Sequence, residues 1–156
     1  MGSINKKVKE LPNICQWAYY NLVPFGNRYG EEYKKTFEFL MKSSKWSEES
    51  RKDYQLTELK HMLSHCYWNV PYYRKIFIDN QWMVEDFQTI EDLKNFPVLT
   101  KKIIMENQKD LIAQNFKYQR PYPITTSGSS GDKLQIFVND DVFKREAAFN
   151  MRAYIE

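Results

Sequence analysis

The chain has 156 residues, enough for one domain and hardly two. Hydrophobic residues make up 42% and charged residues 28%, which excludes wholesale disorder and collagen-like repeats, and the 16% aromatic content supplies large side chains for a core. The net charge of +3 is too mild to argue for nucleic acid by itself.

No apolar run approaches the ~18–20 residues of a membrane helix, so no membrane span is expected. The start, Met1-Gly2-Ser3-Ile4-Asn5-Lys6-Lys7, has no apolar stretch behind its lysines and does not read as a secretory signal. Lys6 also stands where a myristoylation motif wants Ser or Thr. Cys15 and Cys66 are far apart in sequence and form no CxxC or metal spacing, so a reducing, cytoplasmic setting is the expectation.

Residues 1–13 are polar and basic and read as a flexible start. Residues 14–120 read as a helical N-terminal region. The first clear helix covers Glu31 to Lys42, with Tyr33, Phe37, Leu40 and Met41 on one face. Ser47, followed by Glu48 and Glu49, predicts the next helix start, a hydroxyl cap with acids in the first turn. Leu56, Leu59, Leu63, Cys66 and Tyr67 then form one apolar stripe. Pro71 ends that helix and opens a short one through Tyr72, Tyr73, Ile76 and Phe77. Thr89-Ile90-Glu91-Asp92 reads as a cap on a helix that Pro97 terminates. Thr100 caps another, carrying Ile104, Leu111 and Ile112.

Residues 121–156 read differently. Tyr122-Pro123-Ile124-Thr125-Thr126 predicts a strand, its prolines placing it at an edge. Leu134, Ile136 and Val138 alternate with Gln135, Phe137 and Asn139, a second strand with one aliphatic face. Asn139-Asp140-Asp141 offers a cap for a last helix, with Phe143, Ala147, Met151, Tyr154 and Ile155 at helical spacing. The fold class is α/β, presented as α+β because two strands are too few to hide the faces of an α/β sheet. The incomplete sheet and the absence of a helix stop at Ile155-Glu156 predict a chain that ends inside a larger fold.

Between the strands lies Thr125-Thr126-Ser127-Gly128-Ser129-Ser130-Gly131, seven consecutive Thr, Ser or Gly residues, followed by Asp132 and Lys133. Hydroxyls donate to phosphate oxygens, and glycines let backbone N–H groups converge on an anion. Lys133 stands within reach of such a phosphate. The pattern is neither GxxxxGK[ST] nor GxGxxG. A flexible Ser/Gly connector is the competing reading, but such connectors seldom lie between two strands of one small domain.

This loop resembles the phosphate-loop signature of adenylate-forming enzymes, the acyl-CoA synthetase superfamily. Residues 59–77 (LKHMLSHCYWNVPYYRKIF), then Phe96-Pro97-Val98-Leu99-Thr100-Lys101, then the loop, are similar in order and spacing to phenylacetate-CoA ligases and their CapK-like relatives in capsular polysaccharide biosynthesis. The likeness covers residues 46–156. It implies that residues 121–156 begin an ATP-binding domain and that the chain is the N-terminal portion of a longer ligase. Such a ligase activates a carboxylic acid with ATP to acyl-AMP, with Mg2+ on the phosphates, and passes the acyl group to CoA or another acceptor. Thr125, Thr126, Ser127, Gly128, Ser129, Ser130 and Gly131 map onto the family's loop, which holds the β- and γ-phosphates. Lys133 stands where the family usually has proline, and Asp132 puts a negative charge beside the phosphates.

The family's adenine and ribose contacts, its magnesium-binding acid and its C-terminal lysine lie beyond these residues. The chain alone is therefore expected not to form acyl-adenylate. The alternatives are a non-catalytic interaction module or split-enzyme subunit that needs a partner chain, and a non-functional remnant. A second chain completing the sheet, or a homodimer, is the partner an unfinished sheet implies.

Other groups carry two readings each. Glu58, His61 and His65 share a helical face, either a zinc site or a solvated polar surface. Cys66 is a core residue or a nucleophile. Tyr72, Tyr73 and Arg74 line a groove, or pack the layer with Arg74 paired to an acid. Lysines interleaved with aromatics (Lys34, Lys35, Phe37; Lys101, Lys102; Lys117, Tyr118, Arg120) suit single-stranded nucleic acid or a solvated face. Nearly equal acids and bases make no nucleic acid the expectation.

Overall fold

A computed structural model describes residues 7–115, 121–126 and 134–155. Helices α1 (Asn13–Leu22), α2 (Phe25–Tyr29), α3 (Glu31–Ser43), α4 (Glu48–Asn69), α5 (Pro71–Asp79) and α6 (Lys101–Glu106) precede strands β1 (Tyr122–Thr125) and β2 (Gln135–Val138), and α7 (Asp140–Ile155) follows. Two 3₁₀ turns, Val84–Asp86 and Ile90–Asn95, lie between α5 and α6. The protein is mostly helical, with one small two-stranded antiparallel sheet. The chain divides into two compact units, residues 1–46 with 138–156, and residues 47–137.

In the first unit, α3 packs on α7. Tyr33, Leu40 and Ala148 are the buried residues of their contact, with Phe37, Ala147 and Met151 packed around them. An alanine at the centre lets two helix backbones approach closely, and Ala148 is fully covered. Tyr29, Tyr33 and Phe37 recur four apart and their rings stack, with centroids 5.5 and 5.9 Å apart. The predicted stripe on α7 runs on to Tyr154 and Ile155, but these are 87% and 58% exposed, because nothing described covers the last turn. Val8, in the stretch expected to be a flexible start, is buried.

In the second unit, α4 begins as its sequence predicts. The Ser47 hydroxyl accepts a hydrogen bond from the Ser50 amide at 3.1 Å. Leu59 and Leu63 are buried on its stripe, and Leu56, Cys66 and Tyr67 are half-buried. Pro71 opens α5 at its first turn. Phe77 is buried most deeply, and its ring lies 5.6 Å from those of Tyr67 and Phe96 and 6.1 Å from that of Phe87.

The end of α5 returns the chain to this core. Gln81 takes φ 56°, the Gln81 amide donates to the Ile78 carbonyl at 3.1 Å, and the Trp82 amide donates to the Phe77 carbonyl at 2.9 Å. This pair of bonds is a Schellman cap with glutamine at the left-handed position. It turns Trp82 back onto Phe87 and Phe96, at 5.9 and 5.5 Å.

Two expectations are corrected. The Thr89 segment forms a 3₁₀ turn, not a longer helix, because Asp92 folds back onto the amides of Gln88 and Thr89 and Pro97 follows closely. The helix capped by Thr100 ends at Glu106, before Leu111 and Ile112. There the Asn107 side chain donates to the Ile103 carbonyl at 2.9 Å, competing with continued helix. On β2, of the predicted aliphatic face Leu134 and Val138 are half-buried and Ile136 is 41% exposed, while Gln135 on the other face is half-buried too. A two-stranded ribbon lacks the layers that would impose strict alternation.

Candidate functional site

The candidate phosphate loop is held at its two ends by paired backbone. β1 ends at Thr125, and the next residue, Thr126, meets Leu134, which precedes β2. The Thr126 amide donates to the Leu134 carbonyl at 2.9 Å, and the Leu134 amide donates to the Thr126 hydroxyl at 3.3 Å. Ser127, Gly128, Ser129, Ser130, Gly131 and Lys133, with Asp132, lie outside the described residues. Thr125 and Thr126 are both exposed. The Thr126 hydroxyl is thus engaged in closing the loop, a role that residue type alone did not reveal.

The segments that carry the family resemblance fall in one unit. Leu59, Leu63 and Phe77 build its core, Phe96 packs against that core, and Thr100 caps α6 by accepting from the Ile103 amide at 3.3 Å. All belong to residues 47–137, together with the loop and most of β2.

Beside the loop's exit strand lies a cavity of about 390 Å³ that the sequence did not signal. Gln135, Ile136 and Phe137 form one wall, and Val70, Leu99, Ile104 and Leu111 make much of the rest apolar. His65 and Tyr73 bring polar groups to it. Its lining comes from α4, α5, α6 and β2, residues far apart in sequence, so no local pattern could announce it. Burial pushes the Tyr73 phenol up, and Cys66 and Tyr72 push the same way. Burial also pushes the Cys66 thiol up, so the geometry opposes a thiolate nucleophile there.

Among the described residues Arg74 pairs with no acid, contrary to expectation; its Nε donates to the Tyr67 carbonyl at 2.9 Å and its Nη2 to that of Trp68. A cation on the last carbonyls of α4 complements the helix dipole. Glu58 and His61 pair at 3.4 Å on an exposed face, whereas His65 meets Asn69 at 3.3 Å. Among the described residues, no three His, Cys, Asp or Glu side chains are grouped to hold a metal ion. Among the same residues, no helix is long and apolar enough to cross a membrane. Lys117, Tyr118 and Arg120 lie outside the description.

No family model, no curated protein and no solved structure matches the chain.

Proposed function

We propose that the chain is the N-terminal portion of an adenylate-forming ligase similar to phenylacetate-CoA ligase and the CapK-like proteins. In that reaction a substrate carboxylate oxygen attacks the α-phosphorus of ATP, the bond to the β-phosphate oxygen breaks, and acyl-AMP and pyrophosphate form. A thiol, that of CoA, or another acceptor then attacks the acyl carbon and AMP leaves. The part taken by this chain is to hold the β- and γ-phosphates with the amides and hydroxyls of residues 125–131 other than Thr126, whose amide and hydroxyl pair with Leu134, aided by Lys133, as charge develops on the leaving pyrophosphate.

The observation that carries the reading is the pairing of Thr126 with Leu134, which gives the hydroxyl-and-glycine segment fixed ends. Fixed ends lower the entropy lost when a loop closes on an anion. The described residues offer no cluster fit to keep a resident magnesium, so in this reading magnesium arrives on the nucleotide and no step is assigned to it.

The test is calorimetric titration of the chain with Mg·ATP and with pyrophosphate. Binding of both is expected, weakened at least about tenfold when Ser127 and Ser129 are both replaced by alanine. Equal affinity in that variant, or no binding by the unaltered chain, overturns the reading. ATP–pyrophosphate exchange is expected to be absent from the chain alone, and robust exchange with any carboxylic acid would refute its assignment as a portion.

A second reading, an interaction module or split-enzyme subunit, is favoured by one observation. Only β1 and β2 pair among the described residues, and Ile136 and Phe137 on β2 are 41% and 38% exposed. A neighbouring strand from a partner chain would complete such a ribbon.

A further inference from the structure

We propose that the cavity walled by β2 is a binding site for a small uncharged molecule with an apolar, ring-sized body and a hydrogen-bonding edge. The inference is independent of the phosphate loop and of the ligase reading. All of the cavity's described lining belongs to residues 47–137, so the site lies within one unit.

Size narrows the occupant first. At about 390 Å³ the cavity falls at the small end of the range for small-molecule sites. One turn of an α-helix, ~10 Å across and ~5 Å high, already fills on the order of 400 Å³. A docked helix is therefore too large, and a single ring with a substituent is the right scale.

Charge narrows it next. Among the described residues, no Lys, Arg, Asp or Glu lines the cavity. His65, the one lining side chain able to carry a positive charge, is exposed and meets Asn69 at 3.3 Å. A carboxylate or phosphate entering among Val70, Ile104 and Leu111 would lose hydration with no lysine or arginine to offset the loss. The chemistry differs from that of a site for the acid a ligase activates.

The polar groups define the rest of the occupant. Tyr73, Gln108 and Gln135 line the cavity and are half-buried. Among the described residues, the Tyr73 phenol and the two glutamine carboxamides make no hydrogen bond. Polar side chains drawn out of water ordinarily find a partner, yet three around one apolar space have none in the protein. Each can both donate and accept. With its ionisation pushed up by burial, the phenol is protonated and donates. The complement is a molecule that also donates and accepts, an amide or a phenol on an aromatic ring. Phe137 and Tyr73 bring aromatic rings to the lining for such a body to pack on.

The test is NMR titration of the whole isotope-labelled chain with three probes of one shape, alongside light scattering. Benzamide has the polar edge, benzoate a charge in its place, and toluene neither. Benzamide is expected to bind and to shift the side-chain amide signals of Gln108 and Gln135, the former identified by its loss in Gln108→Leu. Benzoate should bind at least about tenfold more weakly, and toluene several-fold more weakly. Tyr73→Phe and Gln108→Leu should each weaken benzamide about three- to tenfold and leave toluene unchanged, a difference that mere loosening of the fold would not produce. Trp68→Ser, 66% exposed and outside the lining, should leave benzamide binding unchanged. Circular dichroism verifies that each variant retains its helix content. No binding of benzamide, equal binding of benzoate or toluene, undiminished benzamide binding in both cavity variants, or shifts confined to residues outside the lining overturns the proposal. So does a dimer in solution that excludes benzamide, which would assign the space to a second copy of the chain.

Discussion

Arg145 on α7 sets its Nε 2.6 Å from Oε1 of Glu32 on α3, an ion pair across 113 positions of sequence. The arginine side chain is 62% exposed, so solvent screens the pair. Arg145→Ala is expected to lower stability by at most about 1 kcal/mol. Ala148→Leu, in the covered centre of the same helix contact, should cost about 1–3 kcal/mol through overpacking. Urea melts of the two variants give the comparison, and the alanine variant should be the milder.

The Schellman cap at Gln81 yields a prediction of opposite sign. A non-glycine residue at φ 56° carries a steric penalty that glycine avoids. Gln81→Gly should therefore stabilise the protein by up to about 1 kcal/mol. Phe77→Ala, which empties the centre of the aromatic cluster, should destabilise it by about 3–5 kcal/mol. Thermal unfolding measures both, and a lower melting temperature for Gln81→Gly would contradict the cap.

Asp92 gives a pH dependence. Hydrogen bonds from the Thr89 amide at 2.7 Å and hydroxyl at 3.0 Å, and from the Gln88 amide, hold its carboxyl below the ordinary carboxylate value. A folded-state value below the unfolded one stabilises the fold above the unfolded value, and that contribution disappears as pH falls through the folded one. The stability difference between the protein and Asp92→Asn should accordingly shrink on acidification through and below the usual carboxylate range. Carboxyl NMR titration should place the Asp92 midpoint below the ordinary aspartate value.

The two cysteines should separate by reactivity. Cys15 is exposed, while Cys66 is half-buried with its thiol pushed up by burial. Alkylation at mildly alkaline pH should modify Cys15 first, and guanidinium should equalise the two. The Cys66 contribution to stability is present below the ordinary thiol value and is lost as pH rises through the raised one. Faster labelling of Cys66 than Cys15 in the folded chain would contradict this placement.

The sequence disclosed what depends on neighbours along the chain. Ser47 and Thr100 cap α4 and α6, Pro71 opens α5, and Leu59 and Leu63 lie on the predicted stripe. What it concealed depends on contacts between distant segments. Ala148 lies inside, although the pattern emphasised Tyr154 and Ile155, because α3 covers one part of α7 and leaves its last turn exposed. Asn107 stopped a helix that apolar spacing would have extended to Ile112. In the candidate site, the hydroxyl-and-glycine composition was visible, but the use of the Thr126 hydroxyl to close the loop required Leu134 to be placed opposite it. The adjoining cavity draws on four elements and had no local signature.

Residues 47–137 form a contiguous compact unit, whereas the other unit joins residues 1–46 to residues 138–156. This arrangement bears on synthesis. As the chain leaves the ribosome, Tyr33, Phe37 and Leu40 emerge long before Ala148 and Met151, the residues that cover them. The intervening unit can acquire its fold first, leaving the aromatic row of α3 available to chaperones until α7 emerges.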